Sequence, residues 1–321
     1  MALKKKLQDP KQLVFGTCCI NPSPSILLPT INSNLDFVFI DTEHISLNRE
    51  QVSFLCKSFY FANVSPIVRI PDHDPYKITM MIDAGAIGLV APYIETVEQV
   101  VKLVGAAKLR PLKGNKLEAI LLKIQETISL KQTNKKIDLY DDIVNAVIDD
   151  NFVTSKYLKQ KNEDICLFIN IESTPAIENL DKLLSIPGVD GVFIGPSDLS
   201  VQLGVPRQWG SKLLLSTIEN IIKKTRKHNL SIGCHWSFEN SIENQYKWVT
   251  DCGMNMIIHS SDMVLYNKML NNDMNKLKGM LSQTKNDVET NYIFTPSVES
   301  SSSNNNNNNN NNTKKKMEDD V

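Results

Sequence analysis

The side chains of this protein that could do chemistry share a position: each follows or ends a short apolar run. Asp41, Glu43 and His44 come after "DFVFI", Arg69 sits in "PIVRI", and Glu172 follows "ICLFINI". Asp198 lies in "GPSDLS" after "DGVFIG", His235 ends "SIGCHW", and His259, Ser260 and Asp262 close "MNMII". Asp41 and His44 are three residues apart, a spacing that lets a carboxylate fix the tautomer of an imidazole and raise its basicity, as a general acid/base dyad requires. Glu172 and Asp198 offer two hard oxygen ligands with no cysteine beside them, a set suited to Mg²⁺ or Mn²⁺ with positions left for water and a chelating substrate. A cation held there would polarise a 2-oxo acid and stabilise its enolate. Arg69 lies in an apolar strand, so it must be paired or face a polar cavity. Each residue alone has a plainer reading. An isolated histidine is usually structural, and a strand-end acid usually caps a turn or helix, as Ser197 or Asp198 could do. The recurrence of polar groups at the ends of six apolar runs favours a common site.

Something must bring those ends together. Eight runs read as strands by composition and length: residues 13–19, 36–40, 66–70, 87–92, 165–171, 190–195, 231–236 and 254–259. Segments with helical spacing separate most of them, among them "REQVSFLCKSFYF", "DPYKITMMIDAG", "ETVEQVVKLVGAAK" and "SKLLLSTIENIIKKTRKHN". Strands that are apolar throughout, each followed by a helix, imply a covered parallel sheet. Eight such repeats, without a Gly-rich phosphate turn after the first strand, predict an α/β fold of the (β/α)₈ TIM-barrel type rather than a doubly wound sheet. In such a barrel the residues beyond the C-terminal strand ends meet at one mouth. The connection between strands four and five is unusually long, and "LEAILLKIQETI" and "YDDIVNAVI" within it have helical spacing. It predicts a helical insertion over about residues 111–163. The domain plan is an N-terminal extension over 1–11, a barrel over 12–295, and a disordered Ser/Asn-rich tail over 296–321.

The 321 residues are 41% hydrophobic and carry 35 basic against 36 acidic side chains, enough apolar material for a large core and no global field for nucleic acid or anionic lipid. No apolar stretch reaches the length of a membrane span and the N-terminus lacks a signal-peptide core, so the expected location is the cytoplasm, without membrane or nucleic-acid partners. The six cysteines form no CxxC pair, and the adjacent Cys18 and Cys19 point to opposite faces of a strand, which makes them poor joint metal ligands.

On the segments "DFVFIDTEH", "PIVRIPDHDPYKITMMIDAGAIGLVAPYIETVEQ", "INIESTPAIENLDKLLSIPGVDGVFIGPSDLSVQLG" and "CGMNMIIHSSDMVL", the chain resembles the metal-dependent pyruvate aldolases of the HpcH/HpaI type, which group with citrate lyase β-like proteins. The resemblance covers roughly residues 12–110 and 164–270. It implies a modified TIM barrel that uses Mg²⁺, Mn²⁺ or Co²⁺ to cleave a 4-hydroxy-2-oxo acid reversibly to pyruvate and an aldehyde. By the same resemblance, Glu172 and Asp198 hold the metal, His44 is the catalytic histidine with Asp41 as its orienting partner, and Arg69 stabilises the enolate oxygen. The turn at Gly195, Ser197 and Asp198 would bind the pyruvate carboxylate through backbone N–H groups. Asp83 would act one layer further out, and the chain would form a homo-oligomer, a hexamer in the family pattern.

The chain departs from the family after its fourth helix. A Tyr-Pro-Pro-x-Gly-x-Arg-Gly-like segment is replaced by "KLRPLKGNKLEAI", with Arg110, Pro111 and Gly114 as its counterparts. Residue 45 is Ile where the family has Gly, and Asn170 stands where it has Gln. The alternatives are a CoA-ester lyase of the citrate lyase β type and a catalytically inactive barrel serving as an interaction protein. The Asp-x-x-His after the second strand favours the aldolase over the first of these.

Overall fold

The computed structural model of the protein describes residues 3–9, 11–130, 137–148, 152–238 and 240–288, with 283–288 by backbone only. The expected tail over 296–321 and the barrel boundary at 295 lie outside the described residues.

Eight strands form where the apolar runs predict them: β1 (Val14–Cys19), β2 (Phe37–Asp41), β3 (Ser65–Arg69), β4 (Gly88–Ala91), β5 (Cys166–Ile171), β6 (Gly191–Ile194), β7 (Ser231–Trp236) and β8 (Met256–Ser261). Every neighbouring pair is parallel and β8 pairs back onto β1, so the sheet is a closed barrel in sequence order. Helices on the outside start and stop on local signals. Asn48 with Gln51, and Thr96 with Gln99, form reciprocal capping boxes at the starts of Arg49–Phe61 and Val97–Lys108. Asp74 accepts from the Tyr76 N–H ahead of Pro75–Ala84, and Gly85, at φ 109°, closes that helix in the left-handed conformation that glycine adopts without penalty. The connection between β4 and β5 holds Val97–Lys108, Gly114–Ser129, a π-helical turn over Leu139–Val144, Asn145–Val147 and Val153–Asn162. Ile120, Ile124, Ile143 and Leu158 from these segments join the core between sheet and helices.

Two cores result. Phe37, Phe39, Ile67, Val90, Phe168, Phe193, Met256 and Ile258 fill the barrel interior, while Val38, Ile40, Val68, Leu89, Ile169, Val192, Ile232 and Trp236 pack outward against the helices. Cys18 belongs to the inner cluster and Cys19 to the outer one, and all six cysteines are buried free thiols.

The segment expected as an extension contributes to the inner core. Its helix Leu3–Gln8 buries Leu3 and Leu7 in the inner cluster and closes the N-terminal end of the barrel. Lys4 pairs with Asp190 at 3.3 Å, Lys6 pairs with Asp36, and Ser231 Oγ donates to the Leu7 carbonyl at 3.2 Å. Asp190 also binds Lys108, only 2% exposed, at 2.5 Å. Burial lowers the pKa of Lys108, and although burial opposes ionisation of Asp190, the charges of Lys108 and Lys4 hold its carboxyl below the usual range.

The chain divides into two compact units, Met1–Met269 and Leu270–Val321. The first contains the barrel. The described part of the second is the 270–288 portion of the helix Asp262–Val288, where Leu270, Met274, Leu277, Met280 and Leu281 are exposed. No helix among the described residues is long and apolar enough to cross a membrane.

Candidate active site

Alternation along each strand decides which side chains enter the barrel. With Phe37 and Phe39 inside, Asp41 is the last inward residue of β2; with Ile67 inside, Arg69 is the last of β3. The same parity turns Asn170 and then Glu172 inward beyond Phe168, Gly195 beyond Phe193, and His235 at the end of β7. Phe39 and Phe193 stack beneath them with ring centroids 5.5 Å apart.

Arg69 is the centre of the cluster. Its Nε donates to Asp41 Oδ1 at 2.9 Å and its Nη2 to Oδ2 at 2.5 Å, a two-point grip that fixes the guanidinium plane. Nη1 lies 2.9 Å from Glu43 Oε2 and 3.8 Å from Glu172 Oε1, and the guanidinium carbon stands 5.7 Å from the centre of the Phe39 ring. Burial works against the Asp41 carboxylate, but the Arg69 hydrogen bond and charge outweigh it and hold its pKa below the ordinary range. Glu172, 2% exposed, accepts from the Tyr93 backbone N–H at 2.9 Å and from the Asn170 side chain. Its burial nevertheless pushes the carboxyl up to about 7, against the pull of Tyr93 N–H and Arg69. Burial raises Glu43 in the same way.

Asp41 also shapes the loop after β2. Its Oδ1 accepts the backbone N–H groups of Glu43 at 3.0 Å and His44 at 3.4 Å, while Thr42 Oγ1 donates to the Arg69 carbonyl at 2.6 Å. The imidazole of His44 is 61% exposed, and its Nε2 is 3.8 Å from Glu43 Oε2. Asp41 therefore places His44 through the main chain, and the acid next to the ring is Glu43.

The residues fit an open divalent-cation site. Three carboxylates face a single guanidinium in a desolvated pocket, an excess of negative charge that a cation would relieve. Glu43 Oε2, off the hydrogen-bonding direction of Arg69, is a buried oxygen without a hydrogen bond. Gly195 leaves the room: a Cβ there would stand 2.0 Å from Glu172 Oε1. Asp198 lies in the first turn of Pro196–Gln202, and its charge acts on both Glu172 and Glu43. Among the described residues no group of three His, Cys, Asp or Glu side chains is arranged to hold an ion.

Other expected residues lie elsewhere. Asp83, on the helix Pro75–Ala84, is exposed and pairs with Arg110 at 2.5 Å. His259 follows Ile257 in parity and turns outward, with Nδ1 3.1 Å from Gln245 Nε2. Asp262 accepts the N–H groups of Ile20 and Asn21 at 3.2 and 3.0 Å. Ser197, in contrast, stays at the strand end with Gly195, two residues after it, and is exposed at the start of the helix Pro196–Gln202.

A closed parallel barrel with an arginine-braced carboxylate cluster at the C-terminal ends of its strands defines a (β/α)₈ enzyme for a small polar substrate. The chain belongs to the HpcH/HpaI aldolase/citrate lyase family, whose model matches residues 21–254. A 2-keto-3-deoxy-L-rhamnonate aldolase from Salmonella gallinarum is 27% identical over 250 residues, covering 78% of this chain and 83% of that one. Among solved structures, an HpcH/HpaI aldolase from Desulfitobacterium hafniense DCB-2 superposes with a TM-score of 0.68 at 24% identity, over 87% of this chain and 97% of that one. A HpcH/HpaI aldolase/citrate lyase family protein from Burkholderia cenocepacia J2315 gives 0.66 at 19% identity, over 86% and 98%.

Proposed function

We propose that the protein is a divalent-metal-dependent class II aldolase that reversibly cleaves a 4-hydroxy-2-oxo acid to pyruvate and an aldehyde. The observation that carries this reading is the meeting of Arg69, Asp41, Glu43 and Glu172 at the mouth beside the space left by Gly195.

Glu172 and Asp198 hold the cation. When bound, Mg²⁺, Mn²⁺ or Co²⁺ supplies Lewis-acid polarisation of the 2-oxo group. Arg69, locked by Asp41, presents Nη1 to the oxygen on which enolate charge develops, where a fixed and partly desolvated donor is most effective. The backbone N–H groups of Ser197 and Asp198, with Gly195 giving close approach, hold the substrate carboxylate. His44, exposed on its loop, takes the 4-hydroxyl proton directly or through one water, and Glu43 stabilises the imidazolium that forms. The C3–C4 bond then breaks, and protonation at C3 releases pyruvate. Asp83 acts only indirectly, through its pair with Arg110. The exposed apolar residues of Asp262–Val288 support assembly as a homo-oligomer, a hexamer in the family pattern.

The test is to incubate purified protein with each metal and a panel of 4-hydroxy-2-oxo acids while a coupled dehydrogenase follows pyruvate. Metal-dependent release, lost in His44→Ala and in chelator, is the expected result. A rate equal to that of His44→Ala refutes the aldolase reading; turnover of a CoA ester alone supports the citrate lyase type instead.

A further inference from the structure

The groups assigned above occupy one arc of the mouth, from β2 and β3 to the ends of β5 and β6. A substrate anchored there by its 2-oxo acid end must send its aldehyde-derived end over the remaining arc, β7–β8–β1. Most polar groups on that arc are already engaged. Thr17 Oγ1 donates to the His259 carbonyl at 2.8 Å, and the Asp262 carboxylate serves the N–H groups of Ile20 and Asn21.

His235 differs from these. It is the last inward residue of β7, partly exposed, with its ring 6.0 Å from Phe39, the same ring that Arg69 overlies. Its Nε2 lies 3.1 Å from the Ser260 carbonyl. A carbonyl can only accept, so Nε2 carries the proton, and Ser237 Oγ at 3.3 Å is a second acceptor. Ser260, at φ 55°, sits in the left-handed region, where a non-glycine residue is uncommon. Burial, reinforced by the charge of Arg69 and opposed by the hydrogen bond to Ser260, lowers the pKa of His235 and so favours the neutral ring. The lone pair of a neutral ring protonated on Nε2 lies on Nδ1, and no described residue donates to it. The proposed mechanism does not use it.

We infer that His235 is a specificity-determining residue whose Nδ1 accepts a hydrogen bond from a hydroxyl on the aldehyde-derived half of the substrate, selecting hydroxylated aldehydes over unsubstituted ones of equal length. A site built to bind a hydroxyl rejects the analogue that lacks it, because its own polar group is then left unpaired. The inference rests on the aldolase reading.

The experiment runs the reaction in the condensation direction with pyruvate, the activating metal and either glyceraldehyde or propanal. The readout is the ratio of the two kcat/KM values in one protein sample, which is insensitive to the fraction folded. Wild type is expected to favour glyceraldehyde, and His235→Leu to lose about 10–100-fold on glyceraldehyde with propanal nearly unchanged. His235→Gln, which retains a side-chain acceptor, recovers part of the ratio. Equal losses on both aldehydes, the outcome for a histidine that merely supports Ser260, overturn the inference while leaving the aldolase reading intact. A wild-type enzyme indifferent between the aldehydes does the same. No condensation with either aldehyde overturns both.

Discussion

Gly195→Ala tests the site at its tightest point. The φ of Gly195 is −95°, ordinary for any residue, so the substitution carries no backbone penalty and acts through contact alone. The new Cβ would stand 2.0 Å from Glu172 Oε1, 2.6 Å from Cγ and 2.7 Å from Cδ, so the whole end of the side chain must move by about 1 Å to restore van der Waals contact. Glu172 has little freedom to yield, since Tyr93 N–H holds Oε2, Asn170 holds Oε1, and the residue is 2% exposed. Overpacking of this kind costs about 1–3 kcal/mol. A displacement of about 1 Å at a reacting group lowers turnover about 100-fold. Urea unfolding measures the first effect as a lower midpoint at unchanged slope, and coupled pyruvate release measures the second. Adding Glu172→Asp, one methylene shorter, is expected to restore much of the stability without restoring turnover. A Gly195→Ala protein with wild-type midpoint and wild-type rate would refute the reasoning.

Three further outcomes are expected. Arg69→Met leaves Asp41, Glu43 and Glu172 without their shared cation, and denaturant titration should show a loss of about 3–5 kcal/mol together with loss of turnover. Asp190→Asn strips the buried Lys108 of its carboxylate and costs a similar amount, about 3–5 kcal/mol. The folded pKa of Asp190 lies below its unfolded value, so in the interval between them the unfolded chain binds the extra proton; the stabilisation is complete above the ordinary value of 3.8 and lost as pH falls through the folded pKa. Urea midpoints recorded during acidification should therefore fall more steeply for wild type than for Asp190→Asn. Leu3→Ala, at a position 1% exposed in the inner core, should lower stability by about 2–5 kcal/mol in the same assay, with KM for the 2-oxo acid unchanged because the mouth is at the other end of the barrel.

Much of this architecture was legible in the order of the residues. Runs such as residues 36–40 and 66–70 fall within one residue of β2 and β3, and "REQVSFLCKSFYF" matches the helix Arg49–Phe61 from end to end, because its capping residues and apolar spacing agree. The gathering of Asp41, Arg69 and Glu172 followed from their places at strand ends. Their pairings did not. A parallel strand covered on both sides is apolar at every position, so its sequence lacks the alternation that marks which residues face inward. Hence its place at a strand end groups His259 with the mouth, although it turns outward onto Gln245. Glu43 had no sequence signal separating it from a loop acid, yet it touches both Arg69 and His44. The contribution of Tyr93 is a backbone N–H set by a φ of 48°, which its side chain does not announce. The helix Leu3–Gln8 was too short, with two leucines among lysines, to reveal that it packs inside a barrel.

That short helix bears on the order in which the fold assembles. Its partners lie far along the chain: Ile165 accepts from Lys4 across 161 residues, and Ser231 donates to Leu7 across 224. On the ribosome, Leu3 and Leu7 are made long before β6 and β7 exist to receive them. The helix Leu3–Gln8 therefore cannot complete its contacts at the base of the barrel until the chain has been made as far as Ser231. Until then the interior core lacks the two leucines that cap it, and Leu3 and Leu7 have been made but have no partners to pack against.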